Sequence, residues 1–161
     1  MTITANVPVR EDIENWRDEM IALAHKCFDE YTNDRIVRTD EITIVANALD
    51  DIRVRDVLLY DIAQLDEGAL IYTFFMILEA MNVIPDNHQH SVVTFGSFIL
   101  LLRGRVVEAM EGLQFAVEGK NNGLARMMYL TTLVLGDKAQ EIARSVFNDM
   151  TRHTARYGPT Q

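Results

Sequence analysis

At 161 residues, 48% apolar and 24% charged, the chain is long enough to bury one sizeable core and too apolar to remain disordered. Its formal net charge is −9, and the excess acid is confined to one part: residues 1–67 hold 16 Asp and Glu against 7 Lys and Arg, while residues 68–161 hold 8 of each. Such a surface works against nucleic acid and anionic membranes as partners.

Residues 1–9 read as a loose arm. From Arg10 to Tyr31, Ile13, Trp16, Met20, Leu23, Ala24, Cys27, Phe28 and Tyr31 form a helical stripe, and Glu11, Asp12 and Glu14 fall in its first turn, where the helix dipole favours anions. Thr39 is placed to cap a second helix, with Ile42, Val45, Ala46 and Leu49 facing inward. Residues 36–45 are also rich in β-branched side chains, so a short strand is arguable there. Asp50-Asp51 caps a third helix carrying Ile52, Val54, Val57, Leu58 and Ile62. Asp66 opens a fourth, to about Asn82, apolar around most of its circumference and therefore expected at the centre. Residues 83–90 form the longest plausible loop.

Residues 92–118 read as the organising hairpin. Val92, Val93, Phe95, Phe98 and Ile99 to Leu102 leave their helix no polar face, which requires burial. Arg103-Gly104-Arg105 makes the turn, and Val106, Ala109, Met110, Leu113, Ala116 and Val117 give the return helix one apolar side. Lys120 to Gly123 then turns the chain into a helix over 124–135. Gly136-Asp137 stops it and caps an eighth, with Ala139, Ile142, Ala143, Val146, Phe147 and Met150. The expected architecture is all-α: about eight helices in a compact bundle over residues 10–152, with a flexible tail at 153–161.

Gly104 and Gly136 lie 32 residues apart, close to the tetratricopeptide period of about 34. The first hairpin resembles a tetratricopeptide unit: Gly104 matches the turn glycine, Ser97 the small site of the first helix, and Ala109, Leu113, Ala116 and Val117 the pattern of the second. The unit after it fits poorly, with Tyr129 and Glu141 at its small sites. Ala48 to Ala63, with its Val54-Arg55-Asp56 run, and Phe95 to Met128, with Leu124-Ala125-Arg126, are together similar to the C-terminal helical half of an actinobacterial family of unknown function. That resemblance implies a helical fold and an actinobacterial or actinobacteriophage origin; it carries no known activity.

The single Cys27 precludes an internal disulfide and suits a reducing compartment. No basic stretch followed by an apolar run opens the chain, and the apolar segment 69–84 falls short of the roughly 20 residues of a membrane span. A cytoplasmic protein is expected. Phosphate-binding glycine loops, nucleophile elbows and di-iron Glu-x-x-His pairs do not occur. His25, Cys27, His88, His90 and His153 have no metal-site spacing, so no cofactor, metal or catalytic residue is expected. Arg55 with Asp56 or Asp61 is a candidate structural ion pair. Met110, Met127 and Met128 are candidates to line an adaptable partner-binding groove, with core filling as the alternative. The expected function is a non-enzymatic helical module that binds another protein; an acidic inhibitor or decoy engaging a basic surface is the second reading.

Overall fold

The computed structural model describes residues 10–33, 38–84, 89–119 and 122–146. The helices are α1 (Arg10–Thr32), α2 (Thr39–Ala48), α3 (Ile52–Ile62), α4 (Glu67–Val83), α5 (Gln89–Leu102), α6 (Val106–Ala116), α7 (Gly123–Leu135) and α8 (Ala139–Val146). Among the described residues there is no strand. A 3-10 turn at Gly136–Lys138 joins α7 to α8 with no non-helical residue between them, so the described residues make seven continuous helical segments rather than eight separate ones. Gly136 sits at φ 55°, which redirects that last segment. The arm expected at 1–9, the tail at 153–161, Pro85 to His88, Lys120-Asn121, and Phe147 and Met150 lie outside the described residues. No described helix is long and apolar enough to cross a membrane.

Two of the expected caps form. Asp51 accepts the Val54 N–H at 3.0 Å and Asp66 accepts that of Ala69 at 2.8 Å. Asp51 also takes Nε and Nη2 of Arg17 at 3.0 and 2.9 Å, so one carboxylate both starts α3 and ties it to α1. Thr39 is not a cap: it is the first helical residue of α2, and Arg38 at the cap position makes no side-chain cap bond. Asp40 instead accepts the Glu41 N–H at 3.0 Å. The arguable strand is absent over its described part, because Thr43 donates its hydroxyl to the Thr39 carbonyl at 2.9 Å, a bond the helix accommodates.

The centre is α5, as its composition requires. From Ser91 to Leu102 every residue except Val93 is buried, and the helix packs against α3, α4, α6 and α8. Its end is closed by a Schellman motif: Gly104, at φ 76°, donates to the Leu101 carbonyl at 3.0 Å, and Arg105 to that of Leu100 at 2.8 Å. The carbonyl of Leu102 remains, and Gln140 Nε2 on α8 donates to it at 2.8 Å. Arg144, also on α8, donates to the carbonyl of Ala63 at 2.7 Å, just past α3. These two side chains fasten α8 across the C-terminal ends of two helices, where the dipole favours a cation.

By contrast α4, expected at the centre, lies at the edge. It buries Leu70, Thr73, Met76, Ile77 and Ala80 against α1, α2 and α5, and leaves Tyr72, Phe75 and Leu78 exposed. Its neighbours all lie on one side, and apolar composition does not prevent the other side from facing water.

α5 and α6 approach closely at Gly112. A Cβ there would collide with the Ser97 hydroxyl and lie 3.5 Å from Val93 Cγ1. Ala109, Leu113 and Ala116 complete the buried seam. At the open end of the hairpin His90 stacks on Phe115, ring centroids 4.4 Å apart and planes 7° from parallel. Gly112→Leu should therefore destabilise by about 1–3 kcal/mol through overpacking, although it removes a helix-interior glycine that costs about 1 kcal/mol. The exposed control Glu111→Ala should stay within about 0.5 kcal/mol. Urea melts of the two variants decide this, and a stabilised Gly112→Leu would show that the helices do not touch there.

Candidate functional site

Of the two acidic partners open to Arg55, Asp56 holds it. Arg55 is buried, and its Nε and Nη2 donate to Asp56 Oδ1 at 3.0 and 2.9 Å. Burial raises the Asp56 carboxyl above its ordinary value, and the charge and hydrogen bonds of Arg55 act in the opposite direction. Asp61 is turned to α1, where its Oδ2 lies 2.8 Å from His25 Nε2. Around these, Lys26 binds Glu41 at 2.7 Å, Tyr31 donates to Glu79 at 2.7 Å, and Arg103 donates to Glu67 at 2.8 Å. Many acids of the first part of the chain are thus bonded within the fold.

His25 and Asp61 stand at the edge of a cleft of about 400 Å³ lined also by Phe28, Asp29, Leu65 and Thr73. The hydroxyl of Thr73 is buried and donates to the Ala69 carbonyl at 2.8 Å. Among the described residues no three His, Cys, Asp or Glu side chains converge as a metal site. His90, part of the expected loop, belongs to α5 and is stacked on Phe115. Cys27 is fully buried on α1, and burial pushes its thiol up to about 11. The Tyr31 hydroxyl is pushed up to about 12, by burial first and then by its bond to Glu79.

The three methionines are not equivalent. Met128 is buried in the core and presents nothing to a partner, because it lies on the face of α7 turned toward the bundle. Met127, half-buried, packs against that core, and Met110 is half-buried on α6. The more open apolar surface is on α7 itself, which buries only Ala125, Met128 and Thr132. Leu130 and Leu133 are each 57% exposed and Val134 is 81% exposed. Val107, at the start of α6, is 74% exposed, and α6 is a neighbour of α7. The apolar run of α7 is legible in the sequence, but its exposed side depends on which neighbours cover it. The strip on α4 is a second, less exposed patch, bordered by Glu67 and Glu79, both bonded within the fold.

No family model, curated protein or solved structure matches the chain. The reading of the α7 face therefore rests on its geometry.

Asp56→Ala should destabilise by about 3 kcal/mol, because it removes a carboxylate that both Nε and Nη2 of a buried guanidinium reach. Arg55→Leu combined with Asp56→Ala should recover most of that loss in urea melts; equal losses in the single and double variants would remove the pair as the cause. Cys27 should be inert to iodoacetamide at pH 8 in the native chain and react readily in denaturant, since the reactive species is the thiolate and this thiol is both enclosed and raised. Mass spectrometry reads both states, and rapid native labelling would contradict the enclosure.

Proposed function

We propose that the chain is a non-enzymatic helical interaction module and that α7, with the adjoining start of α6, is its contact face. The observation that carries this is the exposure of Leu130, Leu133 and Val134 on one helix. Isolated exposed apolar residues are normal, but a contiguous group on a bundle surface marks a place of association. The rigid backing supports the same reading: α6 lies between α7 and the buried α5, so the face is held in shape before it meets a partner. The resemblance of the α5–α6 hairpin to a tetratricopeptide unit, through Gly104, Ala109 and Ala116, agrees with a scaffold role by analogy of fold alone.

The acidic-decoy reading has less support. Asp40, Glu41, Asp51, Asp56, Asp61 and Glu67 are each bonded to a basic side chain of the same fold, which lowers but does not remove the excess of acid in residues 1–67 that a decoy would use.

A photo-crosslinking amino acid at position 134 should capture protein in extracts of the native host, whereas the same group at exposed Asn47 should not. Capture through an apolar face should persist from about 0.05 to about 0.5 M salt, a range over which exposed charge interactions are largely screened. Absence of adduct at position 134, or its loss at high salt, overturns this reading.

A further inference from the structure

We infer that the cleft between α1, α3 and α4 is a binding site for a small organic ammonium ion, an amine carried on an apolar body. The cleft shares no residue with the α7 face, so neither reading depends on the other.

The first argument is how the chain builds the cleft. His25, Phe28, Asp29 and Thr32 follow one another on α1 at steps of three, one and three, so they share one face of that helix. Asp61 and Ile62 come from the end of α3, Leu65 from the turn after it, and Ala69 and Thr73 from α4. Together they bound a space of about 400 Å³, toward the small end of the roughly 300–1,000 Å³ range of ligand pockets. Phe28, Ile62 and Thr73 are buried and form its inner wall, while Asp29 is exposed and marks the rim. A wall of this kind takes hydrocarbon, and the charged groups fix the direction in which it lies.

The second argument is the character of the polar groups. Among the described residues that line the cleft there is no lysine or arginine, whereas two are aspartates. The Asn33 side chain bonds the backbone carbonyl of Asp29 and not its carboxylate. A neutral His25 that gives its Nε2 proton to Asp61, 2.8 Å away, is left with Nδ1 as an acceptor. Thr73 uses its hydroxyl proton on the Ala69 carbonyl, so it too offers a ligand lone pairs only. The set accepts hydrogen bonds rather than donating them. An ammonium ion satisfies it, and a carboxylate or phosphate does not.

The third argument is the field around the cleft. Residues 1–67 carry 16 Asp and Glu against 7 Lys and Arg, and this part of the chain supplies α1, α3 and Leu65. A concave site with apolar walls concentrates such a field and raises the local concentration of counter-ions. The acid that is not balanced within the fold therefore draws cations in general. The inner wall then selects those that carry a hydrocarbon body.

Phenethylammonium chloride, titrated into the isotope-labelled chain at about 0.15 M salt, should shift the nuclear magnetic resonances of the Phe28, Asp29, Ile62 and Leu65 amides. The dissociation constant should be on the order of a millimolar, as suits so small a ligand. Phenethyl alcohol, the neutral counterpart, should bind about tenfold more weakly, and methylammonium, which lacks the apolar body, should leave those amides unmoved. Asp61→Asn should weaken phenethylammonium about tenfold, and Asp29→Asn, at the more exposed carboxylate, about threefold. Ala69→Leu should abolish binding by filling the cleft, while its far-ultraviolet dichroism stays that of the wild type. Acetyl-lysinamide, which stands in for a lysine of a protein partner, should bind more weakly than phenethylammonium, because its thin stem covers less of the wall. Tighter binding of acetyl-lysinamide would assign the cleft to such a partner and overturn the small-molecule source. No shift at the cleft amides overturns the inference, and so does equal affinity for the ammonium, the alcohol and methylammonium. Amine binding that neither Asp29→Asn nor Asp61→Asn weakens overturns it as well, and exposed Asp29 keeps that test open if Asp61→Asn unfolds.

Discussion

The fold follows from the need to enclose α5. A helix with apolar side chains all round has no orientation in which water is acceptable, so it must be surrounded. Here α3, α4, α6 and α8 share that task. Enclosure creates a second requirement at the C-terminal end of α5, where carbonyls without helical partners are also taken out of water. The turn at Gly104 satisfies two of them and Gln140 satisfies a third. The glycine serves twice, since it adopts a positive φ and a Cβ there would lie 3.3 Å from Gln140 Oε1. Placement of α8 is thus a consequence of burying α5, although the two helices are far apart in sequence.

The polar bonds of the first part of the chain do a related job at lower cost in desolvation. Arg17 on Asp51, Lys26 on Glu41 and His25 beside Asp61 join α1 to α2 and α3. The partners are only partly buried, so each contributes modestly to stability. Their value lies in register, since Arg17 sets two of its nitrogens on the one carboxylate of Asp51. Asp51 is the clearest case, because the carboxylate that caps α3 is the one that receives Arg17.

What was legible in the sequence divides along the same line. Burial of α5, the glycine turns at 104 and 136 and the caps at Asp51 and Asp66 depend on local residue chemistry, which the sequence displays directly. Four features depend on which elements become neighbours, and periodicity carries no record of that. One is the exposure of Tyr72, Phe75 and Leu78 on α4; another is the difference between Met128 and its neighbours. The third is Gly112, whose need for a small residue arises from Ser97 on the opposing helix. Asp61 falls in the same group, since its partner His25 is 36 residues away on another element. The α7 face combines both kinds of feature: its apolar composition is local, while its exposure is decided by the packing of α6 and α8.

The uneven charge gains a physical meaning from this division. Like charge on the outside of α1 to α3 keeps copies of the chain from meeting there, and it does so most strongly at low salt. The balanced part offers no such repulsion and carries the most exposed aliphatic residues. An apolar strip alone would associate with many surfaces in many orientations, because dispersion and the hydrophobic effect have little directional preference. Repulsion over one side of the molecule removes most of those orientations without any contact being made.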